Sequence, residues 1–467
     1  MRTTTGSAER GATGGRRVAI VTVHLVLSAA LAACGSGGGG GGSRPTPTAY
    51  PSATPFVTAT PLAPTPTPTS TVLPNPFPIA ENLPASAAVE AAWGGERFLV
   101  TFSAPTDRQA PDVLGVRLAP NGEVVDSAPL LLNDLDEPFL DSGATYLPGG
   151  IAFAGDAFGV FLWGYGTRGD DGPPAQVVGF VSVPPAGAPA LPATTIDEQL
   201  TFSMALSAIN GPVAASTNGT LFLGMYQRIV SLAGSFSLSR VGGRIVTRTG
   251  GAVQSQPVGP LSAILPPPAG VISNGSAPAV ATRSDGTTLV AFTQTSQAQT
   301  SPGVISTNLQ GALLTSDGQT LFSLSDAADG AGSTAVASDG TSFLVVWETP
   351  TTDDPDALTE LRAIRYTPGA DPEPAGGFVV AGGSSVKHLG DVAFAGGTYL
   401  ITWIEADALR GARLGSEGTG VAPLTIDAGP GIESVALATD GARFLAVFDR
   451  ATGASSSDVL GTFVELD

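Results

Sequence analysis

The sequence predicts an all-β chain: seven four-stranded antiparallel sheets set in series and closed into a ring. Three observations carry that expectation. A hairpin phrase occurs seven times along the chain. A bulky aromatic follows each turn at a nearly constant offset. The two ends of the repeat region align with each other, so that one sheet is shared between them.

The clearest copy of the phrase is Ala335–Glu348, AVASDGTSFLVVWE. Ala335–Ser338 is a short run of small and β-branched residues. Asp339-Gly340 is a strong two-residue hairpin signal, because both central positions of a type I′ turn need positive φ. Phe343–Trp347 is a run of bulky strand formers.

Composition narrows the class. For 467 residues, length alone suggests about three domains, but an internal repeat overrides that reading because stacked repeats form one body. Hydrophobic content of 42% is ample for a core, while charged residues make up only 13%. One cysteine excludes an intramolecular disulfide. The net charge of −19 argues against nucleic acid as a partner, since phosphates repel such a surface.

The chain opens with a targeting pattern. Arg16-Arg17 precedes an apolar run from Val18 that ends in Leu31-Ala32-Ala33-Cys34. Val18–Ala33 is 16 residues, shorter than the roughly 20 that a membrane span needs. The stretch resembles the lipobox of bacterial lipoprotein signal peptides. That resemblance implies that residues 1–33 are removed, His24 with them, and that Cys34 carries a lipid that ties the chain to a membrane of the cell envelope. Gly35 and Ser36 follow the cysteine, where an Asp would favour inner-membrane retention, so the resemblance implies the outer membrane if the source has two.

Residues 34–75 read as a tether. Gly37–Gly42 is a glycine run, and Arg44–Pro76 is dominated by Pro and Thr. Such a segment cannot bury enough apolar surface to fold and favours extended polyproline II. At about 3.1 Å per residue it spans up to roughly 100 Å.

Residues 76–467 hold the repeats. The turns are Gly94-Gly95, Gly155-Asp156, Asn218-Gly219, Asp285-Gly286, Asp339-Gly340, Gly396-Gly397 and Asp440-Gly441. The aromatics that follow are Phe102, Trp163, Tyr226, Phe292, Trp347, Trp403 and Phe448, spaced by 61, 63, 66, 55, 56 and 45 residues. That interval is too short for a separate domain and too long for one hairpin. It fits a four-stranded sheet repeated in series. Third strands follow at Val113–Leu118, Gln176–Val181, Arg244–Arg248, Gly303–Thr307, Leu361–Tyr366, Leu409–Leu414 and Val459–Val464. Fourth strands are weaker, as at Pro423–Asp427.

Pro76–Phe102 aligns without a gap onto Ala422–Phe448. The repeat region therefore begins on a fourth strand, Pro76–Glu81, and stops just after a third. One sheet is completed by both ends, which leaves no sheet unfinished at the seam. The arrangement resembles the "velcro" closure of β-propellers, and the chain as a whole resembles repeat-containing bacterial lipoproteins of this style. An open solenoid is the structural alternative.

Function is less legible. In propellers the loops joining strands 2 to 3 and 4 to 1 share a face that usually binds. Here the 2–3 loops are variable and acidic: Asp107 and Asp112, Asp170 and Asp171, Asp353, Asp354 and Asp356, Glu405 and Asp407, Asp449 and Asp458. Loop variability on a rigid frame is where function tends to sit. The set Asp170, Asp171, Asp353, Asp354, Asp356, Glu405 and Asp407 marks the expected binding face. Asp353-Asp354-Pro355-Asp356 reads as a Ca2+ site, a patch for a cationic partner, or a solvated loop; the Asp-x-Asp spacing of a calcium loop is missing. His388 is the one histidine past the signal peptide and lacks the ligands of a His-based metal centre. Arg168-Gly169-Asp170 spells an adhesion tripeptide that arises readily by chance. The expectation is a non-catalytic binding or scaffold module for a protein or glycan, without a cofactor. The alternative is a carbohydrate-active hydrolase or lyase that uses carboxylates on the same face.

Overall fold

The computed structural model describes residues 76–466 except 85–86, 106–110, 135–143, 168–173, 188–191, 201–208, 233–235, 250–251, 259–260, 262–270, 299–304, 326–331, 351–358, 419 and 454. Its strands form seven four-stranded antiparallel sheets, the blades of a β-propeller. Blade 1 is β2 (Ala87–Trp93), β3 (Phe98–Pro105), β4 (Pro111–Leu118) and β5 (Leu130–Leu131). Blade 2 is β6 (Thr145–Ala154), β7 (Ala157–Thr167), β8 (Pro174–Val183) and β9 (Thr194–Leu200). Blade 3 is β10 (Ile209–Thr217), β11 (Phe222–Leu232), β12 (Phe236–Thr249) and β13 (Ala252–Val258). Blade 4 is β14 (Val271–Thr282), β15 (Thr288–Ala298), β16 (Ile305–Thr315) and β17 (Gly318–Ser325). Blade 5 is β18 (Thr334–Ser338), β19 (Phe343–Pro350), β20 (Thr359–Tyr366) and β21 (Glu373–Ala381). Blade 6 is β22 (Lys387–Ala395), β23 (Thr398–Glu405), β24 (Ala408–Gly415) and β25 (Ala422–Asp427). Blade 7 is β26 (Ile432–Thr439), β27 (Arg443–Gly453) and β28 (Ser456–Glu465), completed by β1 (Phe77–Pro84) from the other end of the repeats.

The seam lies where the end-to-end alignment puts it. β1 runs antiparallel to β28, from Phe77 opposite Gly461 to Pro84 opposite Ser456. The ring of Phe77 packs 5.6 Å from that of Phe463, and the Arg443 guanidinium lies 3.9 Å over the same Phe463 ring. A Cβ at Gly122, where φ is +88°, would sit 2.7 Å from the Phe77 ring, so only glycine admits this packing. The inner strands complete the circle: each packs on the next, and β26 packs on β2. The ring is closed, and the solenoid alternative is set aside.

Small residues on the inner strands let the blades converge, and bulky second strands fill the wider zone outside them. The buried sides of Phe98, Val100 and Phe102 from blade 1 meet Leu445 and Val447 from blade 7 in one core cluster. Trp347 and Phe343 of blade 5 likewise pack with Leu289 and Ala291 of blade 4. Of the seven aromatics, Phe102, Tyr226, Phe292, Trp347, Trp403 and Phe448 are buried between blades, while Trp163 is half-buried.

The hairpin turns differ from the sequence expectation in one respect. At Asp339-Gly340, positive φ falls on Gly340 alone. Asp339 keeps ordinary backbone angles because its side chain organises the turn: Oδ1 accepts from the N–H of Thr341 at 2.7 Å and of Ser342 at 2.6 Å. Asn218, Asp285 and Asp440 accept main-chain N–H groups in the same way. Both central residues carry positive φ at Gly396-Gly397, the I′ pattern, where no side chain competes.

Arginines cross the blade joints near these hairpins. Arg443 of blade 7 donates to the carbonyl of Pro120 after β4 at 2.5 Å, and Arg117 of blade 1 to that of Pro184 after β8 at 3.0 Å. Arg248 of blade 3 meets Asp156 and Ser182 of blade 2, and Arg413 of blade 6 donates to the Glu465 carbonyl of blade 7.

Because β1 closes the ring, deleting Phe77–Glu81 exposes the edge of β28 and removes the burial of Ile79. The expected loss exceeds the roughly 3 kcal/mol of one large-to-small core substitution, read as a lower urea midpoint. An unchanged midpoint would show that the ring does not depend on its seam.

Candidate functional site at the ring axis

The fold takes four carboxyls into its blades, Glu90 and Asp391 on inner strands and Glu348 and Asp449 on second strands, an arrangement that no sequence spacing reports. A β-bulge interrupts β22 between Leu389 and Val392, opposite Thr402. Bulges re-aim side chains. This one turns Asp391 toward blade 7, where Oδ2 accepts from the N–H of Leu437 at 2.9 Å; Oδ1 accepts from that of Val392 at 2.7 Å. The Thr402 hydroxyl secures the bulge, accepting from the Asp391 N–H at 3.1 Å. One blade back, Glu348 at the end of β19 makes the same kind of tie: Oε1 accepts from the N–H of Leu389 in blade 6 at 2.5 Å. In blade 7, a further bulge in β26 lies opposite Asp449, whose Oδ1 accepts from the N–H and hydroxyl of Ser434 at 2.6 and 2.8 Å.

Burial dominates the electrostatics of these groups. It pushes the Glu348 carboxyl up to about 7, against the pull of main-chain hydrogen bonds from Leu389 and Ser333. It pushes Asp391 up to about 6, again against two main-chain donors. Asp449 is raised to about 6 by burial, with the hydrogen bonds from Ser434 opposing and the charge of Glu433 adding to the rise.

Glu90 on the inner strand β2 is the fourth member. Burial, reinforced by the charge of Asp391, holds it well above the usual carboxylate range. Shifted carboxyls mark functional sites as well as structural ties. Three of the four accept main-chain N–H groups, two of those across a blade joint. Among the described residues, no three or more His, Cys, Asp or Glu converge as a metal cluster.

The residues expected from sequence are placed as follows. Cys34, Asp170, Asp171, Asp353, Asp354 and Asp356 lie outside the described residues, as do Asp107 and the Arg168-Gly169-Asp170 tripeptide. Glu405 ends β23 and is engaged rather than free. Its Oε1 lies 3.3 Å from the ammonium of Lys387, the chain's single lysine, and accepts from the Ser385 hydroxyl; Oε2 accepts from the Trp403 indole at 3.2 Å. Burial works to raise its pKa, but these hydrogen bonds and the lysine charge outweigh it and hold the carboxyl low. Asp407 is exposed in the tight Ala406-Asp407 turn, at φ +63°. Asp112, Asp449 and Asp458 sit in strands rather than loops, because the second and third strands run further than their apolar cores suggest. Asp112 is buried against the Asn133 amide at 2.9 Å, and Asp458 accepts from the Asn82 N–H of the closing strand at 2.8 Å. His388 is exposed and lies on β22.

No protein-family model matches the chain, and no curated protein matches it. Solved structures do. The polysaccharide lyase Uly1 aligns over 85% of this chain and 100% of its own at 9% identity, with a TM-score of 0.51. A mutant of Trypanosoma rangeli sialidase displaying trans-sialidase activity aligns over 84% of this chain and 60% of its own at 8% identity, with a TM-score of 0.43. A prolyl endopeptidase aligns over 82% of this chain and 47% of its own at 15% identity, also at 0.43. The chain thus spans between about half and three-fifths of the sialidase and peptidase chains it matches. The likeness to the lyase shows a shared fold and no more; the other two carry no argument.

The raised carboxyls set a pH dependence. Glu348, Asp391 and Asp449 keep a proton in the folded state at pH values where the unfolded chain has released it. From about pH 4.5 to 7 the folded state binds more protons, so its stability falls as pH rises. Thermal unfolding is expected at a higher temperature at pH 5 than at pH 8, with the difference reduced in Glu348→Gln. Equal unfolding temperatures at the two pH values would contradict the assignment.

Proposed function

We propose that the chain is a binding or scaffold module of the cell envelope. It is held to a membrane by lipid on Cys34 and carried clear of the surface on the Pro/Thr tether. It meets its partner through the acidic connections between strands 2 and 3. The observation that supports this reading most is the use made of the buried carboxyls. Glu348, Asp391 and Asp449 accept main-chain N–H groups within and between blades, which stiffens a frame and leaves recognition to exposed connections. The partner that an acidic face suits is a cationic protein or a glycan bearing amines.

A second reading, a carbohydrate-active enzyme, draws support from Glu90 and Asp391. Two carboxyls whose charges interact near the axis, both raised, are the kind of pair that divides acid and base roles.

Two experiments separate these readings. In the host, Cys34→Ala is expected to move the protein from the membrane to the soluble fraction; continued membrane association would remove the lipid anchor from the proposal. In vitro, a panel of polysaccharides is expected to show no turnover, while binding to oligo-lysine weakens in an Asp353→Asn/Asp354→Asn variant. Turnover that disappears in Glu90→Gln and survives the loop substitutions would instead establish the enzyme.

A further inference from the structure

We propose that the face of blade 2 turned toward blade 3 carries, at the end where strands 2 and 3 connect, a subsite for one pyranose ring of a neutral or amine-bearing glycan. Tyr165 and Trp163 form its aromatic plate. The subsite rests on the reading of the chain as a binding module, but it does not use the Asp353–Asp356 connection.

The repeat singles the place out. Two residues past the second-strand aromatic, the other six blades carry Ala, Arg, Gln, Thr, Glu and Arg, whereas blade 2 carries Tyr165. Alternation along β7 puts Tyr165 on the same face as Trp163. The two rings lie 5.6 Å apart, tilted by 37°. Tyr165 is 46% exposed, the one aromatic among the exposed large apolar side chains of the described residues. Trp163 is half-buried, while the other six second-strand aromatics are buried. Tyr and Trp offered together to solvent are the composition of recognition surfaces.

Register decides which occupant fits. Tyr165 stands between Thr145 on β6 and Gln176 on β8, and the next row inward is Leu147, Trp163 and Val178. Directly opposed residues share a face, with Cβ atoms about 5 Å apart. The first row is therefore hydroxyl, aromatic ring and amide, all at least partly open to solvent, and the second row is apolar. A pyranose divides in the same way, with C–H groups on its face and hydroxyls round its edge. Laid on Tyr165, it covers its apolar face and brings its hydroxyls to the Thr145 hydroxyl and the Gln176 amide, which both donate and accept. An aliphatic side chain would suit the plate and leave the polar groups unanswered.

Charge narrows the class of glycan. Asp170 and Asp171 lie in the connection that follows β7, and the net charge is −19. Uronic or sulfated chains are repelled, neutral rings are not, and amines gain.

The plate is also held from behind. Asp197, opposite Val178 on the same face, accepts from the Tyr226 hydroxyl and lies 3.0 Å from Arg244, both of blade 3. On the reverse face of β7, a Cβ at Gly164 would sit 2.6 Å from the Tyr146 ring, so that ring packs directly on the strand. A plate fixed on both sides loses little freedom on binding.

Purified protein without its lipid provides the test, with calorimetry and tryptophan fluorescence as readouts. The probes are a β-1,4-linked glucose hexamer and a β-1,4-linked glucosamine hexamer. The wild type is expected to bind at least one, with a change in fluorescence. Tyr165→Ala is expected to weaken that binding about tenfold, about 1.4 kcal/mol. Tyr165→Phe keeps the ring and is expected to stay within about twofold of the wild type. Because Tyr165 is exposed, both variants are expected to keep the wild-type urea midpoint. The proposal is overturned if neither hexamer binds, or if Tyr165→Ala binds as tightly as the wild type. Oligo-lysine, measured alongside, separates the two readings. If it binds and the hexamers do not, the subsite fails and the acidic connections keep their role. If the hexamers bind through Tyr165 and oligo-lysine does not, the subsite stands and the acidic connections lose theirs.

Discussion

The pairing of β1 with β28 is the constraint on which the rest of this molecule depends. A series of four-stranded sheets has no intrinsic reason to close, because each blade buries its faces only against its neighbours. Closure needs the first and last blades to meet, and a blade built from both ends of the repeats makes the meeting part of the covalent order. Main-chain hydrogen bonds along Phe77–Pro84 leave β28 without a free edge. Phe77, Phe463 and Phe98 then interlock across the joint, their ring centroids 5.6 and 6.1 Å apart in turn. Once that joint is fixed, every inner strand has a neighbour on both sides, and the axis becomes a shared, partly shielded space.

A chain with few charged residues places many of them at the joints. On the hairpin side, arginines donate across blades to carbonyls such as those of Pro120, Pro184 and Glu465. Nearer the axis, carboxyls accept N–H groups of the next inner strand, Glu348 from Leu389 and Asp391 from Leu437. The physical logic is common to both. Aliphatic packing between blades is non-directional and tolerates sliding. A hydrogen bond from a side chain to a main-chain group on the neighbouring blade fixes one register against the other. The cost falls on the carboxyls, which burial holds partly protonated near neutrality.

The repeat made much of this fold legible before any coordinates. Seven turns, seven aromatics and the gapless match of Pro76–Phe102 to Ala422–Phe448 led to the blade count and the seam. The apolar runs Leu361–Tyr366 and Leu409–Leu414 mark the cores of β20 and β24, but not their ends, because hydrogen-bonded pairing continues past the apolar run. That is why Asp449 and Asp112 read as loop residues when they are buried in strands. At Asp339-Gly340 the dipeptide signals a hairpin whether the backbone or the Asp side chain makes the turn, so its position is legible in the sequence and its type is not. Of the acidic residues singled out, Glu405 shows the limit most clearly. Nothing in the local sequence says that Lys387, 18 positions earlier, will be drawn beneath it when β22 pairs with β23.

Sequence alone determined the periodic part: which residues form hairpins, which aromatics are buried, and how the ends of the repeats share a blade. These follow from local alternation and turn chemistry, which act over a few residues at a time. Tertiary structure alone decided which polar groups meet. Arg443 of blade 7 and the Pro120 carbonyl of blade 1 are 323 positions apart and meet only because the ring closes, and Asp391 reaches the Leu437 N–H across the joint between blades 6 and 7. Their relation is fixed by how far each blade turns about the axis and by a bulge in β22. Neither leaves a mark in the spacing of the chain, because both arise from packing between sheets rather than pairing within one.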